Sequence, residues 1–384
     1  MQSSTQRAVN VHAVVESLAA HLAQLSDQRK ARGRRYPLTP LLVLVVLAKV
    51  CGANNPQEIA QWIEHRAAWL TQALSLKWKR MPHPSTYRRI LQKGLDLTEF
   101  ELLAGEYLHA LAPEHAQLLN MDGKSLRGTI PKPETQGLRL LAVQQTASNS
   151  VVSQTALLAT ENEISAAKRL LKKADLRGKI LTGDAIFAQQ ELSRQVVQAG
   201  GDYLWKVKEN QAHLRQQIES LFRREAASVT DLDRAHSIDK GHGRIEERVL
   251  FSSSRLADQL QWPDLSQVFT IRSERLECRT QKRTSKRHYG ITSLPPVQAD
   301  AERLLELTRG HWAIENGLHY RRDVTFREDS CRMKSYPAAE ALAVCNNLAL
   351  GLIRHAGWEN VAEARRYYDA YPAQALQLIA EPPG

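Results

Sequence analysis

Cysteine is scarce in this chain, with four in 384 residues. Cys51, Cys278, Cys331 and Cys345 form no CxxC pair and no spacing typical of zinc ligands, so we expect reduced thiols in a cytosolic protein. Long apolar runs are also missing. The best candidate, Leu41 to Ala48, falls far short of the roughly 20 residues that a membrane-spanning helix needs, so it reads as a buried helix or strand segment and no membrane partner is expected. The start, MQSSTQRAVNVHAVVESLAAH, lacks the apolar core of a secretory signal. No internal repeat or low-complexity tract is present. Negative charge, finally, is in deficit: 52 Lys and Arg stand against 41 Asp and Glu, giving a net charge of +11 and an isoelectric point near 9.5. That excess points to a polyanionic partner, because cations that neutralise phosphates release counterions and gain affinity.

What is present suffices for real cores, since 43% of residues are apolar. The length suggests two or three domains at roughly 150 residues each. The first 112 residues read as helical. Asn55-Pro56-Gln57-Glu58 is a helix start, with Asn as N-cap, Pro at the first helical position, and Ile59, Trp62 and Ile63 following at helical spacing. A second start lies at Pro84-Ser85. Helix, Gly-Ala-Asn-Asn turn, helix and then a short basic helix is compatible with a helix-turn-helix-like DNA-binding region; a plain helical bundle fits the same pattern.

From residue 116 the period changes. We expect a strand at Gln117 to Met121, a hairpin from Leu138 to Ala159 around Ser148-Asn149-Ser150, and a helix from Glu163 to Leu176. Strand Ile180 to Thr182, a helix near Gln189 to Gln198 and strand Tyr203 to Val207 follow. This order describes an α/β core of mixed sheet. Residues 211–299, with the GHGR turn at Gly241 to Arg244 and the basic run Arg279 to Arg287, read as a β-rich insertion. A helix from about Ala301 to Tyr320 and another from Pro337 to Ala356 complete the core, and 357–384 read as a tail. The expected domains are therefore 1–112, a core of 113–210 and 300–356, the insertion 211–299, and the tail.

Three acidic residues carry the chemistry. Asp122 in LLNMDGKSLRG and Asp184 in KILTGDAIF each follow an apolar strand, where an ionised carboxylate is costly unless a cation or a hydrogen bond meets it. Asp122-Gly123 is also a good turn dipeptide, and Asp184 could simply cap the next helix. Glu315 lies in a helix-like stretch. At about 100° per residue, Thr308, His311, His319 and Arg322 fall on its face, bordered by Leu305, Leu307, Trp312 and Leu318. A solvated His311–Glu315 pair would give the same stripe. Carboxylates suit Mg²⁺ or Mn²⁺, and two such ions can neutralise the attacking and leaving oxygens of a phosphodiester.

The blocks RGRRYPLTPLLVLVVLAKVCGANNPQEIAQWI, MDGKSLRG, TGDAIFAQQEL, YLWKVKENQ, GHGRIEERVL and HWAIENGLHYRRDVTFRED run in order over nearly the whole chain. In them the chain resembles the DDE transposases of bacterial insertion sequences, in particular the H-repeat-associated branch. The resemblance implies an RNase H-like fold in which Asp122, Asp184 and Glu315 bind two catalytic Mg²⁺ ions, with Mn²⁺ as a substitute. It further implies cleavage and strand transfer at terminal inverted repeats of double-stranded DNA, by a homodimer working in the bacterial cytoplasm. Related enzymes carry a Tyr, Arg, Glu, Lys signature whose positions here hold Thr308, His311, Glu315 and Arg322; a protonated His311 and the charged Arg322 would then retain phosphate contacts. Lys124, Arg127, Lys208 and Arg244 are the other expected DNA contacts. A repurposed DNA-binding protein without catalysis, a nuclease of the same fold without strand transfer, and a structural protein whose acids cap helices are the alternatives.

Overall fold

The computed structural model describes residues 16–112, 116–130, 133, 136–172, 174–225, 232–241, 243–311 and 314–380. The chain forms two compact units, one made of residues 1–114, 123–157 and 315–384, the other of residues 115–122 and 158–314. In chain order the helices α1 (Glu16–Ala23), α2 (Leu38–Val50), α3 (Pro56–His65), α4 (Ala67–Ala73), α5 (Pro84–Lys93) and α6 (Leu97–Ala110) precede β1 (Leu118–Ser125), β2 (Arg139–Gln145) and β3 (Ser150–Ala156). Next come α7 (Glu163–Leu171), β4 (Ile180–Gly183), α8 (Gln190–Gln198), β5 (Asp202–Val207) and α9 (Ala212–Glu225). Strands β6 (Asp233–Gly241), β7 (Arg244–Ser253), β8 (Gln267–Glu277) and β9 (Arg283–Thr292) follow. Helices α10 (Ala301–Gly310), α11 (Tyr336–His355), α12 (Val361–Ala370) and α13 (Pro372–Ala380) close the chain.

The fold is the expected mixed α/β architecture with an N-terminal helical region. Its sheet runs β3-β2-β1-β4-β5-β9-β8-β7-β6. Strand β1 belongs to both units, Leu118 to Asp122 to one and Gly123 to Ser125 to the other. Strands β1, β4 and β5 are parallel neighbours, and β9, β8, β7 and β6 continue as an antiparallel meander. Parallel strands need crossovers, which α7 and α8 provide.

In the first unit, α2 is apolar on every side apart from Lys49 near its end, and Leu41 to Val50 are all buried. Asn55 does cap α3, its side chain accepting from Gln57 N and Glu58 N at 3.0 Å each, with Pro56 in the first turn. Helix α11 is the one described helix long and apolar enough to cross a membrane by length and composition, yet 83% of its apolar window is buried within the protein.

Two expectations need correction. Residues 212–225, placed in a β-rich insertion, form α9, because Leu214, Ile218, Leu221 and Phe222 repeat at helical spacing and are buried. Residues 361–380, expected as a tail, are the helices α12 and α13, held by buried Val361, Ala364, Tyr368, Ala375 and Ile379.

Candidate active site

The two aspartates meet through strand register. Pairing of β1 with β4 runs Leu118↔Ile180, Leu119↔Leu181, Asn120↔Thr182 and Met121↔Gly183. The pairing ends there, so Asp122 and Asp184 each follow the last paired residue of two neighbouring parallel strands. The face is set as well. Thr182 Oγ1 donates to Asn120 Oδ1 at 2.8 Å, so these partners point the same way. Side chains alternate with period two, so Asp122, two residues on within β1, returns to that face, while Asp184 stands just past the end of β4.

Several contacts hold the turn that begins at Asp184. Gly183 has no room for a side chain: a Cβ there would lie 2.7 Å from Phe187 Cδ2 and 3.0 Å from Trp205 Cζ3, both on buried rings. From the segment after β5, Asn210 Nδ2 donates to Ala185 O at 2.6 Å and Gln211 Nε2 to Ala188 O at 2.9 Å. Asp184 stands at the N-cap of the short turn Ala185–Phe187 without making a side-chain cap bond. Its oxygens instead accept from Lys208 Nζ at 2.9 and 3.4 Å. Partial burial works against ionisation of Asp184, but the Lys208 hydrogen bond and the charges of Lys208 and Lys206 outweigh it, so its carboxyl lies below the usual range.

The floor of this corner is made by the end of α10. His311 Nδ1 lies 3.0 Å from Thr182 Oγ1, and Asn120 Nδ2 donates to Gly310 O at 3.1 Å. Helix α10 is thus pinned to both strands two residues before each aspartate. Burial, then the charge of Lys206, pushes the His311 imidazole down to about 4, with Asp184 opposing. His311 is neutral near pH 7 and buried, which corrects the expectation of a protonated phosphate contact.

Glu315 opens the segment of the other unit that follows. The expected helix to Tyr320 ends at Gly310; Ile314–His319 and Arg321–Thr325 are π-helical, a wider winding on which a 100° wheel no longer applies. The side chain of Glu315 lies outside the described residues. Ile314 and Leu318 are buried.

Arg322, expected to face DNA, is fully buried. Its Nε donates to both oxygens of Glu328 at 3.1 and 2.9 Å, Nη2 to Glu328 Oε1 at 3.0 Å, and Nη1 to Gln154 Oε1 at 3.0 Å. Asn346 and Asn347 of α11 donate to Glu328 and Gln154. The guanidinium therefore ties the π-helical segment to β3 and α11 within its own unit.

The remaining expected contacts divide by exposure. Lys124 is buried and paired with Asp323. The Arg127 side chain is 81% exposed while its backbone N–H is held by Asp329 at 3.1 Å. Arg244 is half-buried at the start of β7, and Arg279, Lys282, Arg283, Lys286 and Arg287 are exposed. Sequence reasoning missed Lys206, Asn120, Thr182 and Glu328. A polar residue two before each aspartate, in LLNMD and ILTGD, was the available signal for the middle pair.

The carboxylates of Asp122 and Asp184, at the ends of neighbouring parallel strands, are hard oxygen donors, and an ammonium already bridges the oxygens of Asp184, so the corner suits a hard divalent cation. Among the described residues no cluster of three His, Cys, Asp or Glu side chains forms a ready cation site.

Residues 116–352 match the family described as Transposase DDE domain, and residues 19–108 match the domain described as DDE_Tnp_1-associated. Putative protein YbfL of Escherichia coli K12 is 27% identical over 347 residues, covering 88% of this chain and 90% of the relative. The H repeat-associated putative transposase YhhI of the same strain is 26% identical over the same shares of the two chains, 88% and 90%. A cryo-EM structure of the piggyBac transposase synaptic complex with hairpin DNA aligns with 96% of this chain and 78% of its own, at TM-score 0.43 and 10% identity.

Proposed function

The chain belongs to the Transposase DDE domain family, and from that premise we propose that it catalyses divalent-metal-dependent cleavage and strand transfer at the terminal inverted repeats of an insertion sequence. The observation that supports this reading is the β1–β4 register, whose paired residues end just before Asp122 and Asp184, together with the ammonium of Lys208 held against Asp184. In the proposal Asp122, Asp184 and Glu315 are the carboxylates that hold two Mg²⁺ ions, with Mn²⁺ as substitute. When bound, the ions supply charge neutralisation on the phosphodiester.

The protein's own residues do the rest. Gly183, Phe187, Asn210 and Gln211 fix the Asp184 turn, and Asn120, Thr182 and neutral His311 fix the strand ends beneath it. Such fixing matters because displacement at phosphorus gains its rate from alignment. Water first displaces the flanking strand, breaking one P–O bond and leaving a free 3′ hydroxyl on the element. That hydroxyl then attacks a target phosphate, forming a new ester as the target's own 3′ oxygen leaves. Lys208, once a divalent cation replaces it at Asp184, is free to meet a phosphate, and Arg127, Arg244 and the Arg279 to Arg287 run grip DNA. Lys124, His311 and Arg322 serve structure instead. Two ends must be joined, so the working form is a homodimer on double-stranded DNA in the bacterial cytoplasm, with residues 1–112 as its DNA-associated domain.

The test is a Mg²⁺-dependent assay on DNA that carries the element's ends. Wild type should give joined products, while Asp122→Ala, Asp184→Ala and Glu315→Ala bind the same DNA and give none. Hydrolysed ends without joining would make it a nuclease; binding without cleavage by wild type would make it a repurposed DNA-binding protein.

A further inference from the structure

A groove of about 1580 Å³ opens within the helical unit, between the segment at residues 28–36, helix α3 and the stretch from Lys79 to Lys93. It exceeds the roughly 300–1,000 Å³ of small-molecule sites. Eight Lys and Arg residues line it against one acid, Glu64. Seven of them, Lys30, Arg32, Arg35, Lys79, Arg80, Arg89 and Lys93, are exposed and form no ion pair among the described residues.

This basic rim is built rather than loose. Asp27 accepts from Arg29 Nε at 2.8 Å, Arg29 Nη2 at 2.7 Å and the Arg29 backbone N–H at 3.0 Å. Arg34 donates to Arg29 O and Asp27 O, each at 2.8 Å, and Arg29 Nη2 to Tyr36 O at 3.0 Å. Two arginines thus close the turn while Lys30, Arg32 and Arg35 face outward. The opposite side is stitched on by Tyr36, whose hydroxyl donates to Arg80 O at 3.1 Å and whose ring packs edge-on against Trp78 with centroids 4.9 Å apart. Unpaired like charges held on a fixed surface repel one another, and a polyanion relieves that repulsion.

We infer that this groove binds the phosphate backbone of duplex DNA without reading its bases, as a second contact remote in sequence from the carboxylates; the inference rests on the transposase reading. The choice of a duplex follows from the aromatics. Single-strand binding depends on exposed rings for base stacking, whereas Tyr36 is half-buried, packed edge-on against Trp78 and covered by the Arg35 guanidinium 5.6 Å from its ring centre, so the groove offers mainly cations.

The test is a fluorescence-anisotropy titration of the full chain with a short mixed-sequence duplex across a range of salt. Wild type is compared with Lys30→Gln/Arg32→Gln/Arg35→Gln/Arg80→Gln, and with a control of equal charge change, Lys172→Gln/Arg177→Gln/Arg194→Gln/Arg223→Gln. Four lost phosphate contacts should flatten the slope of log affinity against log salt by about 3.6 units in the groove variant, at about 0.9 per contact, and much less in the control. Equal losses in both variants, or no loss in either, would overturn the groove assignment while leaving the transposase reading intact. Absence of any duplex binding by wild type would overturn both. A groove-dependent preference for a single strand, or equal competition by polyglutamate, would overturn the commitment to a duplex. Asp27→Asn adds positive charge yet opens the turn, so it should weaken binding; tighter binding would show that net charge alone acts.

Discussion

Substituting Glu328 by Gln would leave the guanidinium of Arg322 buried without a counter-charge. Arg322 is 0% and Glu328 6% exposed at their side chains, and three of the four hydrogen bonds that Arg322 makes to Glu328 and Gln154 end on Glu328. Burial opposes ionisation of Glu328, but Arg322 outweighs it and keeps the carboxyl below its ordinary range, so the pair is charged in the folded protein. Breaking one side of such a pair costs about 3–5 kcal/mol, whereas removing both charges costs far less than the sum of the single changes. Glu328→Gln and Arg322→Met should each lower stability by that order, and the double variant Arg322→Met/Glu328→Leu should recover much of it. Urea unfolding followed by tryptophan fluorescence provides the double-mutant cycle. A Glu328→Gln cost within about 1 kcal/mol of zero, or an Arg322→Met variant of normal stability with weakened DNA binding, would refute the structural role and return Arg322 to the surface contacts.

Three further outcomes are expected. Lys208→Met should raise Mn²⁺ affinity up to about fivefold, because a half-exposed ion pair worth at most about 1 kcal/mol no longer has to be displaced from Asp184; unchanged or weaker Mn²⁺ binding in equilibrium dialysis would argue against competition at that carboxylate. Gly183→Ala drives a methyl group against Phe187 and Trp205 and should lower stability by about 1–3 kcal/mol in urea unfolding, with cleavage falling as the Asp184 turn shifts; wild-type values for both would show that the turn has slack. Burial, then Arg365, pushes the ammonium of Lys49 down to about 7. The unfolded chain therefore binds the extra proton between about pH 7 and 10.5, and stability should rise with pH from about 7 upward, by at most about 1.4 kcal/mol per unit. Lys49→Met should raise the melting temperature at pH 7 and flatten that rise; an identical pH slope would contradict it.

How much of this was legible beforehand depends on whether the cause was local. Strands β1, β4 and β5 and the helices between them follow from apolar runs bounded by Gly and Asp, so the α/β core could be read from periodicity. Helix α9 shares the same local signal, in Leu214, Ile218, Leu221 and Phe222, but the alternating segments beyond it drew the whole stretch into a β-rich reading. Register was not legible. Nothing in LLNMD or KILTGD says that Met121 pairs with Gly183, a partner some 60 residues away, although that pairing brings the strand ends before the two aspartates next to each other. The segment after Gly310 misled for a different reason. Its side chains repeat well enough for an α-helix, but the backbone winds as a π-helix, and the Arg322 charge that looked solvent-facing answers Glu328, Gln154 and α11, contacts that no local pattern encodes.

The central claim, that β1 and β4 bring Asp122 and Asp184 into one divalent-cation site, is tested most directly by Mn²⁺ binding followed by electron paramagnetic resonance in wild type, Asp122→Asn and Asp184→Asn. The register predicts that either single change removes the same bound Mn²⁺ signal while the circular dichroism of the fold is kept. Bound Mn²⁺ that survives both substitutions would contradict it.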